Sequence, residues 1–384
     1  MSNKPVEADL NGGSLKMRAA VMTGTGKLEV REVVLGKPKA NEVLVKICAT
    51  AVCHSDLNTL EDPTTPFPQV LGHEGAGIVQ EVGPNVKTCK VGDRVALSWV
   101  PYCGTCPCCR VGKVNLCESA FGPMFAGTLM DGTTRMKMDG QVCYHQSLIS
   151  TFAEYTVAPE MSCVVIPESM PLVPASMIGC GVATGFGASV RAARVDPGSS
   201  VAIFGIGGVG INAIQGARIA GASRIIACDI KDDNLELARK YGATHVINTG
   251  AVKEASAAVR ELTDGIGSDY AIDCTGITAV GTEAWKSGRK GSTIVVVGAY
   301  KPDAQLCLPA GGFHRVGKIL RGTFYGDVNP FNDFPKIAQL YLDKKYDLDS
   351  LVIEKIRLED IQKAFDAFHD PKGKNMGRYV IDFQ

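Results

Sequence analysis

Residues 200–210 read Ser-Val-Ala-Ile-Phe-Gly-Ile-Gly-Gly-Val-Gly. Val201–Phe204 is a short apolar run, and Gly205-Ile206-Gly207-Gly208-Val209-Gly210 fits G-x-G-x-x-G. The residues that follow, Gly208–Ala220, predict a helix with small residues on one side. The next apolar run, Arg224–Asp229, ends in an acid 19 residues past Gly210. A bare glycine-rich turn demands none of this. A strand before, a helix after and an acid closing the next strand are what a dinucleotide-binding βαβ unit requires. Gly205 permits the tight turn, Gly207 lets a pyrophosphate approach the backbone, and Gly210 lets helix pack closely on strand. The free N–H groups of the helix start, around Gly208 and Val209, face the phosphates. Asp229 is expected to accept hydrogen bonds from the adenosine ribose and to repel a 2′-phosphate. NAD is therefore favoured over NADP, although Lys231 lies close by.

The alternation continues outward. Asp232–Tyr241 reads as an amphipathic helix, and His245–Asn248, Tyr270–Asp273 and Ser292–Val297 read as strands. This predicts a doubly wound parallel sheet. Upstream, residues 17–100 carry short β runs (Arg18–Met22, Val43–Ala49, Ala76–Val82, Asp93–Leu97) with glycine punctuation and no helical period. That is the pattern of a twisted, mostly antiparallel β domain. Residues 101–120 are dense in cysteine, and 121–150 read as irregular. After about residue 324 come helices at Pro335–Leu342 and Leu358–Phe368 and a final strand, Arg378–Asp382. The expected fold is α/β. A β-rich domain spans 1–183 and 324–384, with a cysteine lobe at about 101–118, and a doubly wound domain spans 184–323.

Composition narrows the function. Forty basic and forty acidic residues cancel, which gives no support for nucleic acid as a partner. Glycine is 43 of 384 residues, or 11%, against about 7% ordinarily; with no repeat period, the excess belongs in tight turns and close backbone approaches. Met1–Lys16 is polar and lacks the apolar run of a signal peptide. Ser169–Val190 is uncharged and long enough for a bilayer, but its four glycines and two prolines mark it as buried, so no membrane association is expected. The cytosol is the expected compartment, where 14 cysteines are not disulfides.

Cys103, Cys106, Cys109 and Cys117 are spaced C-x2-C-x2-C-x7-C. Four thiolates suit a closed tetrahedral zinc that holds together a lobe too small for its own core. Cys108 could stand in for a neighbour, though the even spacing favours the other three. An iron–sulfur cluster would also use four thiolates. Cys53 (in Cys-His-Ser-Asp), His73 (in Gly-His-Glu) and Cys180 (in Gly-Cys-Gly) are isolated, and each alone reads as structural. Two cysteines and a histidine with an open fourth position make a catalytic zinc set. Spacing does not establish that the three converge.

Together, Cys53-His54-Ser55-Asp56, Gly72-His73-Glu74, the four-cysteine lobe, Gly179-Cys180-Gly181 and Gly205–Gly210 with Asp229 resemble the zinc-dependent medium-chain alcohol dehydrogenases, from about Met17 to the end. The stretch from Asp131-Gly132-Thr133 to Glu154-Tyr155 is similar to the longer members, the classical and the glutathione- or mycothiol-dependent formaldehyde-oxidising types. The runs Gly179–Gly187 and Gly205–Gly216 resemble bacterial nicotinoprotein-like dehydrogenases, which hold their nucleotide tightly. The resemblance implies a GroES-like catalytic domain with a Rossmann domain between its two parts, two zinc ions per chain, NAD, and a homodimer or homotetramer. It makes Cys53, His73 and Cys180 the catalytic zinc ligands, with Asp56 orienting the histidine and Glu74 beside the metal. His54 and Arg378 fall near the pyrophosphate, Thr184 beside the cofactor, and Trp99 on the wall of the substrate pocket. In many relatives a histidine stands where this chain has Asn58, which cannot act as a base.

The expected chemistry is reversible oxidation of a primary alcohol to the aldehyde. The metal stabilises negative charge on the alcohol oxygen, Ser55 carries the proton outward, and the nicotinamide takes the hydride. A non-catalytic zinc-binding module would explain the lobe but not the nucleotide motif. A glutathione- or mycothiol-adduct formaldehyde dehydrogenase shares the whole scaffold. For that reading, Ser119–Met130 lacks the basic anchor expected for the adduct's carboxylate. It offers Phe121, Met124, Phe125 and Met130 instead, which favours apolar or aromatic alcohols.

Overall fold

The computed structural model describes residues 6–310, 312–370 and 377–384; the first five residues of the polar N-terminal segment lie outside it. The chain forms two units, one of Met1–Cys180 with Asn329–Gln384 and one of Gly181–Val328.

The second unit carries a six-stranded sheet in the order His245–Asn248, Arg224–Asp229, Ser200–Phe204, Ser268–Asp273, Gly288–Val296, Ile319–Gly322. Every neighbouring pair is parallel. Strand order reverses at Ser200–Phe204, so the crevice at that strand's carboxyl end is the topological switch point where such sheets bind ligands. Phe204 is in register with Cys228 on one side and Asp273 on the other, which sets Gly205, Asp229 and Cys274 along one rim. Phe204, Ile226, Cys228, Ala271 and Ile294 pack beneath with Val259 and Trp285 from the covering helices. Ile319–Gly322 extends this sheet by an edge strand that its sequence did not advertise.

The first unit combines a closed five-stranded barrel with a seven-stranded sheet. Glu42–Val52 lies at the heart of that sheet. It pairs antiparallel with Glu74–Val82, with Tyr155–Pro159 and with the terminal strand Arg378–Asp382. The registers set Ala51 opposite Glu74 and Val52 opposite Tyr379. Cys53, Glu74 and Arg378, remote in sequence, therefore meet at one end of the sheet.

Two readings of this half need correction. The helix His54–Glu61 interrupts what read as pure β: its eight residues are too short and too polar to display a period. The stretch read as irregular, 121–150, holds the helix Glu118–Ala126 and the strands Met136–Met138 and Gln141–His145. These strands complete the barrel. They are anchored less by apolar alternation than by the fully buried Arg135, which grips Glu42 at 2.6 and 2.9 Å and Asp131 at 2.7 Å. The uncharged segment folds into the short helices Leu172–Ser176 and Gly181–Gly187, divided by the turn Met177–Gly179. Among the described residues no single helix is long and apolar enough to cross a membrane.

Candidate metal centres and nucleotide groove

One cluster forms where the central sheet ends. The metal-binding atoms of Cys53, His73, Glu74 and Cys180 all lie within 4.8 Å of one another. Cys53 closes the central strand and caps the helix His54–Glu61. The Asp56 carboxylate on that helix does two things. Oδ2 accepts the Cys53 N–H at 2.9 Å, and Oδ1 holds His73 Nδ1 at 2.6 Å. Cys180 follows Gly179, where a Cβ would stand 2.4 Å from the Leu97 carbonyl oxygen. Only glycine brings this turn so close to the sheet.

Among the described residues, His73 Nε2 is buried with no hydrogen-bond partner. An imidazole held by Asp56 through Nδ1, with Nε2 toward the sulfurs of buried Cys53 and half-buried Cys180, is the donor set of a zinc site with three protein ligands. Burial opposes charge on the ring, but Asp56 overrides it and raises the His73 pKa well above its ordinary value. Hydrogen bonding from Cys180 holds Cys53 well below the usual thiol range, assisted by Arg378, and the same bond pushes Cys180 up. Burial raises Glu74 to about 7 against the pull of Arg378. Arg378 donates to both Glu74 oxygens, at 2.9 and 3.0 Å, and approaches Cys53 Sγ at 3.5 Å. No sequence signal pointed to this contact, because 304 residues separate the partners.

The other residues sort by exposure. Ser55, His54 and Asn58 are exposed, and His54 lies edge-on to Phe368 with ring centres 5.5 Å apart. Trp99 stands edge-on to His73 at 6.3 Å. On the helix Glu118–Ala126, Met124 is buried, Phe125 is 72% exposed, and Phe121 leans on Phe125. Thr184 sits half-buried on Gly181–Gly187.

The second cluster gathers Cys103, Cys106, Cys109 and Cys117, again with sulfurs within 4.8 Å. Backbone N–H groups of Thr105 and Cys106 donate to Cys103 Sγ, and that of Cys103 to Cys117 Sγ. The Ser119 and Thr105 hydroxyls, with the Thr105 and Cys106 N–H groups, lower Cys103 to about 5, the thiolate form a metal requires. Cys108 turns away toward Glu118 and is no part of the four. Apolar support in the lobe is slight: Ala120 is buried with Cys109 and Cys117, and Tyr102 and Met130 flank them.

The nucleotide motif opens a groove of about 530 Å³ lined by Gly205, Gly207, Asp229, Ile230, Thr249, Thr275 and Ile277. Gly205 has φ +84°, a Cβ on Gly207 would meet nothing within 4 Å, and one on Gly210 would lie 2.0 Å from the Gly205 carbonyl oxygen. That is the backbone geometry a tight turn, an open approach and a close helix–strand packing require. Asp229 accepts the Ile206 N–H at 2.7 Å and the Lys231 N–H at 2.9 Å, which fixes its carboxylate at the rim. Ile230, Thr249, Thr275 and Ile277 escaped sequence reading; their one signal was a position just beyond a strand or motif end. Asp229→Ala is expected to reduce the preference for NAD over NADP about tenfold to a hundredfold, the worth of a charge-assisted hydrogen bond or two. Steady-state kinetics with both nucleotides measure it, and wild-type protein using both equally well would remove Asp229 from the role.

Two family models match the chain, an alcohol dehydrogenase GroES-like domain over residues 39–168 and a zinc-binding dehydrogenase over 208–343. An S-(hydroxymethyl)glutathione dehydrogenase of Paracoccus denitrificans is 40% identical over 366 residues, 92% of this chain and 97% of that protein. A class-3 alcohol dehydrogenase of Drosophila melanogaster is 37% identical, over 97% of this chain and 99% of that one. Among solved structures, benzyl alcohol dehydrogenase from Acinetobacter calcoaceticus superposes with a TM-score of 0.90 at 34% identity, covering 96% of this chain and all of that one. An alcohol dehydrogenase zinc-binding domain protein from Burkholderia ambifaria gives 0.91 at 36%, covering 97% and 100%.

Proposed function

Because the chain belongs to the zinc-dependent medium-chain alcohol dehydrogenases, an enzyme family that uses zinc and NAD, we propose that it oxidises primary alcohols with apolar or aromatic tails to aldehydes, reversibly. The observation that carries this reading is the His73 ring, tied by Asp56 at one nitrogen and free at the other toward Cys53 and Cys180. When bound, zinc supplies a Lewis acid that acidifies the substrate hydroxyl, and NAD supplies the hydride acceptor. The residues do the rest. Cys53, His73 and Cys180 hold the ion, and Asp56 keeps His73 in the tautomer that presents Nε2. Ser55, exposed on the first turn of its helix, hands the alcohol proton to solvent, so Asn58 is not needed as a base. The Gly205–Gly210 turn holds the pyrophosphate and Asp229 the ribose. The substrate loses one proton and one hydride and leaves as the aldehyde.

Trp99, edge-on to His73, narrows the space beside the ligand set, and Phe121 with Phe125 offers apolar surface further out. Each buried methylene contributes about 0.8 kcal/mol, roughly fourfold in affinity. Catalytic efficiency is expected to climb from ethanol through longer and benzylic alcohols until size limits it. Bulky secondary alcohols should react poorly, and Trp99→Ala should widen that tolerance. A second reading, a thiol-adduct formaldehyde dehydrogenase, is favoured by the 40% identity to the Paracoccus enzyme but finds no basic anchor on Glu118–Ala126. Measuring kcat/KM over an alcohol series, with the glutathione and mycothiol adducts of formaldehyde alongside, decides between them. A flat series, or an adduct surpassing every free alcohol, would promote the second.

A further inference from the structure

The helix His54–Glu61 is tied to the turn before His73 twice. The first tie is the Asp56 carboxylate on His73 Nδ1 at 2.6 Å. The second is Gln146, 5% exposed, which follows the strand Gln141–His145. Its amide oxygen accepts the Gly72 N–H, and its amide nitrogen donates to Thr59 Oγ1 at 3.1 Å. The Thr59 hydroxyl in turn donates to the Ser55 carbonyl at 3.0 Å. A threonine that bonds back to the carbonyl four residues earlier is common; one that also takes a buried amide joins its helix to another segment. Polarity fixes every step. A backbone N–H can only donate and a carbonyl can only accept, so the amide has one orientation and the hydroxyl one direction. The path starts one residue before a metal ligand and ends one residue before Asp56.

The loop after Gln146 is built around it. The Ile149 and Ser150 N–H groups both donate to its carbonyl at 3.1 Å, and its own N–H donates to the Ser150 hydroxyl at 3.0 Å. Ser147, Leu148 and Ser150 have φ of +50°, +63° and +42°, a region that residues with a side chain rarely enter. Leu148 and Ser150 are fully buried. Backbone in such a conformation persists where the surrounding contacts over-determine it, and it clusters at functional sites. Thr151 then donates to the Gly72 carbonyl at 2.9 Å, so one segment grips Gly72 at both its N–H and its C=O. We propose that Gln146 is a positioning residue of the catalytic centre: through Gly72 and Thr59 it fixes the helix that carries Asp56 against the turn that carries His73, and so sets the Asp56–His73 contact on which metal binding depends. The inference rests on Cys53, His73 and Cys180 being the ligand set.

Zinc affinity by chelator competition tests it, read on the zinc that Cys53→Ser lacks and at a temperature well below melting. Gln146→Leu, which fills similar space without polar atoms, should bind that zinc about threefold to tenfold more weakly than wild type, a smaller effect than losing the orienting group itself. Thr59→Val, which removes only the hydroxyl, should weaken binding in the same range, and it carries the test if the leucine variant does not fold. Thr59→Ser, which keeps the hydroxyl, should bind as wild type does. In an Asp56→Ala background neither Gln146→Leu nor Thr59→Val should weaken binding further, because the carboxylate they position is gone and effects within one chain of contacts do not add. A merely structural glutamine would lower the melting temperature and leave zinc affinity alone. Wild-type affinity in either folded variant, weakened binding in Thr59→Ser, or a full additional loss in the Asp56→Ala background overturns the positioning role while the ligand set stands. If Cys53→Ser holds as much zinc as wild type, the ligand set falls and the inference with it.

Discussion

Cys53→Ser is expected to yield a folded protein with one zinc per chain and turnover reduced by about three orders of magnitude or more. Cys103→Ser should lose the other zinc and much of the soluble, folded protein with it. The contrast follows from what surrounds each cluster. Cys53, His73 and Cys180 sit at the end of a sheet whose core (Val43, Val45, Ile47, Val79 and Leu97) packs without them. Removing one sulfur there removes a Lewis acid worth several kcal/mol of charge stabilisation, at tenfold in rate per 1.36 kcal/mol, while the sheet persists. The Cys103 lobe has almost no apolar interior, and for such a lobe metal binding is folding free energy. Metal analysis, circular dichroism and turnover on both variants measure the difference. Wild-type protein holding a single zinc, or iron in the lobe, would defeat the two-site reading, and a Cys103→Ser variant as stable as wild type would reassign the lobe.

Local and chemical features were the ones most open to reading from sequence. The strand Arg224–Asp229, the helix Asp232–Tyr241 and the strand Arg378–Asp382 have the predicted bounds, because each carries its own apolar period and its own stop. The glycine motif was legible because each glycine answers a local steric demand. The even cysteine spacing likewise singled out the four sulfurs that cluster and left Cys108 aside. What stayed hidden depends on partners far away in the chain. Met136–Met138 and Gln141–His145 are strands only because the barrel and the Arg135–Glu42 pair hold them. The helix His54–Glu61 exists because a buried acid caps it. The grip of Arg378 on Glu74 arises from strand register and leaves no trace in either segment.

Asp56 joins both scales, and its variants should show the second large effect. The carboxylate is fully buried and accepts on each oxygen, the Cys53 N–H from one ligand's backbone and the ring Nδ1 of another ligand. An ionised carboxylate can accept twice; an amide accepts on one atom and donates from the other. In Asp56→Asn one contact must therefore become donor against donor. If the amide oxygen keeps His73 Nδ1–H, its NH2 faces the Cys53 N–H, and the helix start loosens. If the amide is flipped, its NH2 faces the ring and drives the proton from Nδ1 to Nε2, the atom that must be bare to bind metal. A buried donor left unsatisfied costs about 1–3 kcal/mol, and loss of the group that orients a metal-bound histidine typically costs about tenfold to a hundredfold in metal affinity or activity. Asp56→Asn should therefore lose zinc to a chelator at least about tenfold faster than wild type and lower kcat by a similar factor, with a reduced melting temperature. Asp56→Ala should be worse on all three measures, because both donors lose their partner. Asp56→Glu retains the charge but displaces it by one methylene, so it should recover the melting temperature more than the metal affinity. Zinc retained at the wild-type rate in Asp56→Asn would mean that His73 is held by the fold around it, and the double duty of this carboxylate would be wrong.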